Sequence, residues 1–264
     1  MTDWSLGELL LSVPQLHGLR AARSQDELST ILGNVGKNVE TFARSLTRLS
    51  AREEVTEEQL RPNGKVRKKL KEEFEYLVLA REGPEKVDLQ EYRTNADGKP
   101  ARPVGLTRGF MITSGAFSTA LFLLPARQLE FSFRYLGEQI LDGRKAYVLV
   151  FAQRPESANE GAQLRDREGD RSIAMLLQGI AWIDSGSYKL LSLHTEMRQP
   201  RAGVGSERVT TEINYRDVYF QQPTASLWLP NDIIVTATLR DRMWRNQYRY
   251  SNFKLFSVES KLRP

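Results

Sequence analysis

The feature that most constrains this chain is a recurrence of tight-turn signals between runs of alternating apolar and polar residues. Asn63-Gly64, Asp97-Gly98 and Asp142-Gly143 are dipeptides that favour two-residue hairpin loops, because both positions tolerate a positive φ. Ser185-Gly186 adds another, and Asp241-Arg242 sits between two further alternating runs. With a side-chain period of two, the turn fixes which residues share a sheet face. Looping at Asp142-Gly143 pairs Tyr135 with Val150 and Phe133 with Ala152, which groups Phe131, Phe133, Tyr135, Val148 and Val150. Looping at Ser185-Gly186 groups Ile180 and Trp182 with Leu191 and Leu193. Looping at Asp241-Arg242 groups Ile233, Val235, Ala237 and Leu239 with Trp244, Tyr248 and Tyr250. Each hairpin presents a coherent apolar face. Strands at 51–60, 65–80, 87–94, 208–220 and 253–260 extend the meander, so the expected fold is mainly β and antiparallel.

One segment breaks the period of two. Leu28, Ile31, Leu32, Val35, Val39, Phe42, Leu46 and Leu49 form a helical stripe, and Ser24 with Glu27 reads as a capping box at its start. Gly33 and Gly36 weaken such a helix by about 1 kcal/mol each relative to alanine, but would permit close packing on a sheet. An amphipathic helix this long must lay its stripe on something apolar. The expected architecture is an antiparallel half-barrel, or strongly curved sheet, wrapped around a long N-terminal helix. Residues 1–23 show no clean period and read as a tail or short capping helix, followed by one domain over 24–264. A short helix is expected at Ala116–Leu124. Residues 154–171, rich in charge with Pro155, Gly161 and Gly169, read as a long exposed loop.

The chain has no cysteine, which excludes disulfides, thiolate nucleophiles, iron–sulfur clusters and cysteine zinc sites. Thirty-eight Lys+Arg against 33 Asp+Glu give a net charge of +5. The dense basic run, Lys65-Val66-Arg67-Lys68-Lys69-Leu70-Lys71, is followed at once by Glu72, Glu73 and Glu75 and reads as a solvated strand. No nucleic-acid partner is expected. No segment approaches the roughly 18 apolar residues of a membrane span. The start, Met1-Thr2-Asp3-Trp4-Ser5-Leu6, lacks the basic opening of a signal peptide. The expected location is therefore periplasmic or secreted if an upstream leader is removed, and otherwise cytoplasmic.

Catalytic signals are sparse. His17 lies in the N-terminal stretch, and His194 sits on a strand with Glu196 two residues on, a pattern more typical of a surface strand than of a metal site. No G-x-S-x-G, H-E-x-x-H, GxGxxG or phosphate-loop motif occurs. Asp184 reads as the last strand residue before a turn, where aspartate caps its own loop. The expectation is a non-enzyme without metal or cofactor. The site candidates are the residues placed inward by the hairpins: Phe131, Phe133, Tyr135, Val148, Val150, Ile180, Trp182, Leu191, Val235, Trp244 and Tyr248. If helix and sheet close imperfectly, these would line an apolar cavity.

The helix running into Ser50-Ala51-Arg52-Glu53-Glu54-Val55, together with Leu141-Asp142-Gly143-Arg144-Lys145-Ala146-Tyr147-Val148-Leu149 and Gly179-Ile180-Ala181-Trp182-Ile183-Asp184, resembles the lipoprotein-sorting carrier superfamily (LolA/LolB-like half-barrels). Phe133-Arg134-Tyr135-Leu136-Gly137, Trp228-Leu229-Pro230 and the stretch from Arg245-Asn246 to Asn252-Phe253 are similar to a group of uncharacterised, often exported bacterial proteins. The superfamily resemblance implies a cofactor-free carrier in the cell envelope that binds an acyl chain or a lipidated protein. The alternative is a protein–protein interaction module with a filled core and no small ligand.

Overall fold

The computed structural model describes residues 1–46, 49–82, 87–95, 97–101, 115–160, 163–165, 172–174, 176–198, 208–222, 224–239 and 242–256. Among the described residues three α-helices, α1 (Leu6–Ser12), α2 (Leu28–Ser45) and the one-turn α3 (Pro125–Gln128), accompany thirteen strands. In chain order these are β1 (Arg20–Ala21), β2 (Leu49–Leu60), β3 (Val66–Glu82), β4 (Val87–Thr94), β5 (Phe131–Leu141), β6 (Arg144–Gln153), β7 (Gln163–Arg165), β8 (Ser172–Ala174), β9 (Leu176–Asp184), β10 (Leu190–Arg198), β11 (Arg208–Gln221), β12 (Thr224–Leu239) and β13 (Arg242–Leu255). Eleven of them form one antiparallel sheet in the order β1-β5-β6-β9-β10-β11-β12-β13-β2-β3-β4, while β7 and β8 pair separately.

Strands successive in the chain pair from β9 to β13, from β2 to β4 and at β5–β6, β6 pairs with β9, β1 joins β5 from far along the chain, and β13 pairing with β2 completes one sheet. The sheet does not close, because β1 and β4 remain its edges. Residues 115–128 leave the β4 edge, where the Glu91 carboxylate accepts from the Ser118 N–H (2.9 Å) and hydroxyl (2.7 Å), and run directly into β5. On the open edge of β5 the Gln25 side chain behaves like a strand residue. Its amide donates to the Tyr135 carbonyl (2.9 Å) and accepts from the Tyr135 N–H (2.8 Å).

Burial forms two clusters on opposite faces. The inner one gathers Ile31, Val35, Val39, Ala43 and Leu46 of α2 and residues 117–124, packed on the sheet through Tyr76, Phe131, Phe151, Ile213, Val235 and Tyr248. Gly36 lets α2 approach the 123–128 segment rather than the sheet: a Cβ there would lie 2.8 Å from the Gln128 amide and 3.1 Å from the Leu123 carbonyl oxygen. The outer cluster places Met1, Leu9, Val13 and Leu16 over Val148, Val150, Ile180, Trp182 and Leu191. Within residues 1–23, Leu6–Ser12 form the short helix α1.

Several local expectations change. The N-terminal capping box is formed by Ser5 and Glu8 on α1. Ser24 does not cap α2, which starts at Leu28 after an uncapped Glu27. Among the described turn dipeptides only Asp142-Gly143 adopts positive φ at both positions (50° and 78°). At Asn63-Gly64 and Asp97-Gly98 only the glycine does, within longer turns bonded from Arg61 to Lys65 and from Asn95 to Lys99. The Ala116–Leu124 helix is a 3-10 segment at Ser118–Leu123. The strand expected at 253–260 is, as far as Leu255, the end of β13. Asp241 and residues 161–162, 166–171 and 257–260 lie outside the described residues.

The most consequential correction is a bulge. Pairing at the β5–β6 turn is as expected, Leu141 against Arg144, but it shifts by one at Leu136 so that Tyr135 faces Leu149 and Phe133 faces Phe151. Gly137 takes φ +136°, and a Cβ on it would stand 2.0 Å from the Arg20 carbonyl oxygen. One extra residue sends Val148 and Val150 to the opposite face from Phe131 and Tyr135. A shift between Leu190 and Ser192 acts likewise, leaving Ile180, Trp182 and Leu191 outside and Leu193 inside.

Candidate functional site

The eleven inward candidates therefore divide. Phe131, Tyr135, Val235 and Tyr248 are buried in the inner cluster, with Phe133 partly buried beside them. Trp244, opposite Ala237, is half-buried. Val148, Val150, Ile180, Trp182 and Leu191 belong to the outer cluster, where the Trp182 indole donates to Gln139 Oε1 at 2.8 Å. Among the described residues the inner aromatics pack against one another rather than around a lumen. Phe122 stacks on Phe151 at 4.1 Å between ring centres and meets Phe131 at a tilt at 5.3 Å, occupying the space beneath the curved sheet.

An opening does exist nearer the rim, and none of those eleven residues lines it. It is a crevice of about 40 Å³ between α2 (Asn38, Val39, Phe42), Ala120, and the sheet residues Lys189, Leu190, Tyr215 and Trp228. Each element is there for a local reason. The α2 stripe turns Val39 and Phe42 toward the sheet. Tyr215 sits where β11 and β12 lose register, Asn214 facing Asp232 and Tyr215 facing Pro230. The Trp228 indole donates to the Leu190 carbonyl, which holds its ring across the crevice wall. Lys189 follows Tyr188, whose φ of +56° helps turn the chain into β10. Asn38 Nδ2 donates to the Ser187 carbonyl at 2.8 Å, clasping α2 to the β9–β10 loop.

Charge gathers at this rim. Lys189 Nζ lies 5.4 Å from the Trp228 ring centre and Arg144 Cζ lies 5.1 Å from it. Lys189 is 3.0 Å from Asp217 and Arg144 is 2.9 Å from Asp184. Burial alone would raise the Asp184 carboxyl, but hydrogen bonds from Ser187 and Arg144 outweigh it and hold the group below its ordinary value. Asp184 thus caps its own loop, as read from the sequence. The Tyr215 hydroxyl is buried without a hydrogen-bond partner among the described residues, and burial raises its pKa.

A second cluster lies deeper, on the inner face of β13, β2, β3 and β4. Arg93 donates twice to Glu53, one bond at 2.7 Å, and Tyr250 donates to Glu53 Oε1 at 2.8 Å. Burial works against the Arg93 charge, but the Glu53 carboxylate prevails and holds the guanidinium above its ordinary range. Glu57, with no exposure, has neither carboxylate oxygen hydrogen-bonded among the described residues. On the outer face His194 Nδ1 lies 3.8 Å from Glu212 Oε1, and Gln15 donates to that same oxygen at 2.7 Å. Among the described residues no helix is long and apolar enough to cross a membrane.

Fold and site together define an open antiparallel half-barrel, its interior filled by α2 and the 117–124 segment, with an apolar crevice at the rim. Two solved structures are similar over most of this chain. One is described as an outer membrane lipoprotein-sorting protein domain from Vibrio parahaemolyticus, with 11% identity and a TM-score of 0.46 over 87% of this chain and 94% of that one. The other, a DUF1329 family protein from Desulfovibrio piger, shows 12% identity and a TM-score of 0.44 over 89% of this chain and 95% of that one. No family model matches the chain, and no curated protein does.

Sequence reasoning missed the crevice residues as a group. Trp228 was visible in the Trp228-Leu229-Pro230 motif, whose proline is the residue at which the β11–β12 register shifts. Nothing local in the sequence brings Val39 and Phe42 to Tyr215.

Proposed function

We propose that this protein is a non-enzymatic carrier of the cell envelope that takes up an acyl chain through the crevice between α2 and β10–β12. The observation that carries this reading is the crevice wall: Val39, Phe42, Ala120 and Leu190 offer an apolar surface that begins at solvent and continues into the inner core. At about 40 Å³ it holds only the start of a chain, so uptake requires α2 to swing away from β10–β12. The helix is well placed for that. Its firm packing is on the 118–128 segment through Gly36, whereas the Asn38–Ser187 bond clasps it to the sheet side. A chain threading under α2 would gain about 0.8 kcal/mol per methylene buried. The test is a titration with fatty acids of increasing length, followed by tryptophan fluorescence and repeated on Trp228→Phe. Saturable binding that tightens with length, its signal lost in the variant, is expected. A flat response at every length overturns the reading.

The filled interior favours a second reading, a protein–protein interaction module with no small ligand. Phe122, Phe131 and Phe151 occupy the place where a preformed cavity would lie. That account gains if the titration is flat.

A further inference from the structure

We infer that the crevice selects acyl chains bearing a carboxylate head, and that Lys189 is the residue that recognises it. This rests on the acyl-chain reading above. The polar groups of the crevice wall share one character. Lys189 is the charged residue among those lining it, and it is a cation. Asn38 offers an amide whose N–H now rests on the Ser187 carbonyl, whereas the Tyr215 hydroxyl is buried, acted on by the Glu91 charge, and lies below the reach of a head group at the rim. Lys189 and Asn38 can both donate at the rim, and no carboxylate is among the residues lining the wall, Asp217 standing beside it on Lys189. A head group entering here meets donors, which suits an acceptor-only anion better than a neutral hydroxyl or an ammonium.

Lys189 is free to change partners. Its present contact, Asp217 Oδ1 at 3.0 Å, involves side chains 37% and 50% exposed, and an ion pair that open to water holds weakly. A ligand carboxylate would meet the same ammonium at the apolar mouth, between the Trp228 ring and Leu190, where less water competes. The Trp228 ring keeps the ammonium at the rim, 5.4 Å from its centre, and Arg144 on the same ring is paired with Asp184 at 2.9 Å, which leaves Lys189 as the cation for the ligand. The tail then lies along Val39 and Phe42 with its head at the surface.

The experiment compares a long-chain fatty acid with the alcohol of the same chain length by isothermal titration. Both are measured on the wild-type chain, on Lys189→Gln and on Lys37→Gln, an exposed lysine of α2 outside the crevice. Thermal melts confirm that both variants fold. The acid should bind about tenfold more tightly than the alcohol to the wild type and to Lys37→Gln, and added salt should narrow the gap. In Lys189→Gln the acid should fall to the affinity of the alcohol, while the alcohol is unaffected. Equal binding of acid and alcohol to the wild type overturns head-group selection and leaves the acyl-chain reading standing. An acid preference that survives in Lys189→Gln overturns the role of Lys189. If neither ligand binds, the carrier reading fails and this inference fails with it.

Discussion

The two halves of the sheet are buried in different ways. Strands β5, β6, β9 and β10 are covered on both faces, by α2 and residues 117–124 within and by residues 1–19 without. Strands β11–β13 and β2–β4 are covered on the inner face and present polar residues to solvent on the other. The first half consequently reads as unbroken apolar runs: Val148, Leu149, Val150 and Phe151 are all at 0% exposure. The second half keeps its alternation, and its inner face accommodates charge, with Glu53 and Glu57 on β2 and Arg93 two strands away on β4. One half is held by apolar area and backbone geometry, while the other is held partly by electrostatics and should respond to pH.

Removing the buried guanidinium tests that contrast most severely. Arg93→Ala leaves Glu53 buried beside Tyr250 and Tyr76 without its partner, which should cost about 3–5 kcal/mol. The shift of the urea midpoint measures it, and a loss below about 1 kcal/mol would mean the charged half does not depend on the pair.

The pH response comes from Glu57. Burial, reinforced by the Glu72 charge and opposed by Arg93, pushes its carboxyl up from 4.5 to about 7. A folded-state value above the unfolded one favours the protonated carboxyl. Its contribution is therefore complete below about 4.5 and is lost as pH rises to about 7. At about 1.4 kcal/mol per pH unit the loss is about 3 kcal/mol. Urea melts between about pH 5 and 8 should show stability falling over this range, and Glu57→Gln should flatten the slope. An unchanged slope in the variant would assign the pH response elsewhere.

The apolar half has its own weak point at the bulge. Gly137→Ala puts a methyl against the Arg20 carbonyl at a φ of +136°, which should cost about 1–3 kcal/mol without pH dependence. Hydrogen exchange should locate the loosening at β1 and the middle of β5, around Leu136. Protection retained there would show that the bulge does not need glycine.

Much of this architecture was legible from the residues. The α2 stripe, the antiparallel meander, the open curved sheet and the Asp142-Gly143 turn all follow from periodicity and φ preference, which act over a few residues. The grouping of Ile233, Val235 and Ala237 with Tyr248 and Tyr250 holds, because the pairing sits two residues from the expected register and a shift of two keeps the face. The candidate site was less legible. A shift of one at Leu136 and another beside Leu191 moved five of the eleven proposed residues to the outer cluster. The unbroken run at 147–151 was the available signal, since a strand covered on one face would alternate.

By itself the sequence determined the long strands and α2, the Asp142-Gly143 turn and which side chains seek burial, because those are local properties of backbone and solvent. Only the tertiary structure decided that residues 1–19 form a second cover, that Phe122 fills the interior beside Phe151, and that Val39, Phe42, Tyr215 and Trp228 meet at one crevice. These are contacts between residues far apart in the chain. They depend on where each bulge turns a face and on which apolar surface each helix reaches, and no short-range preference encodes that choice.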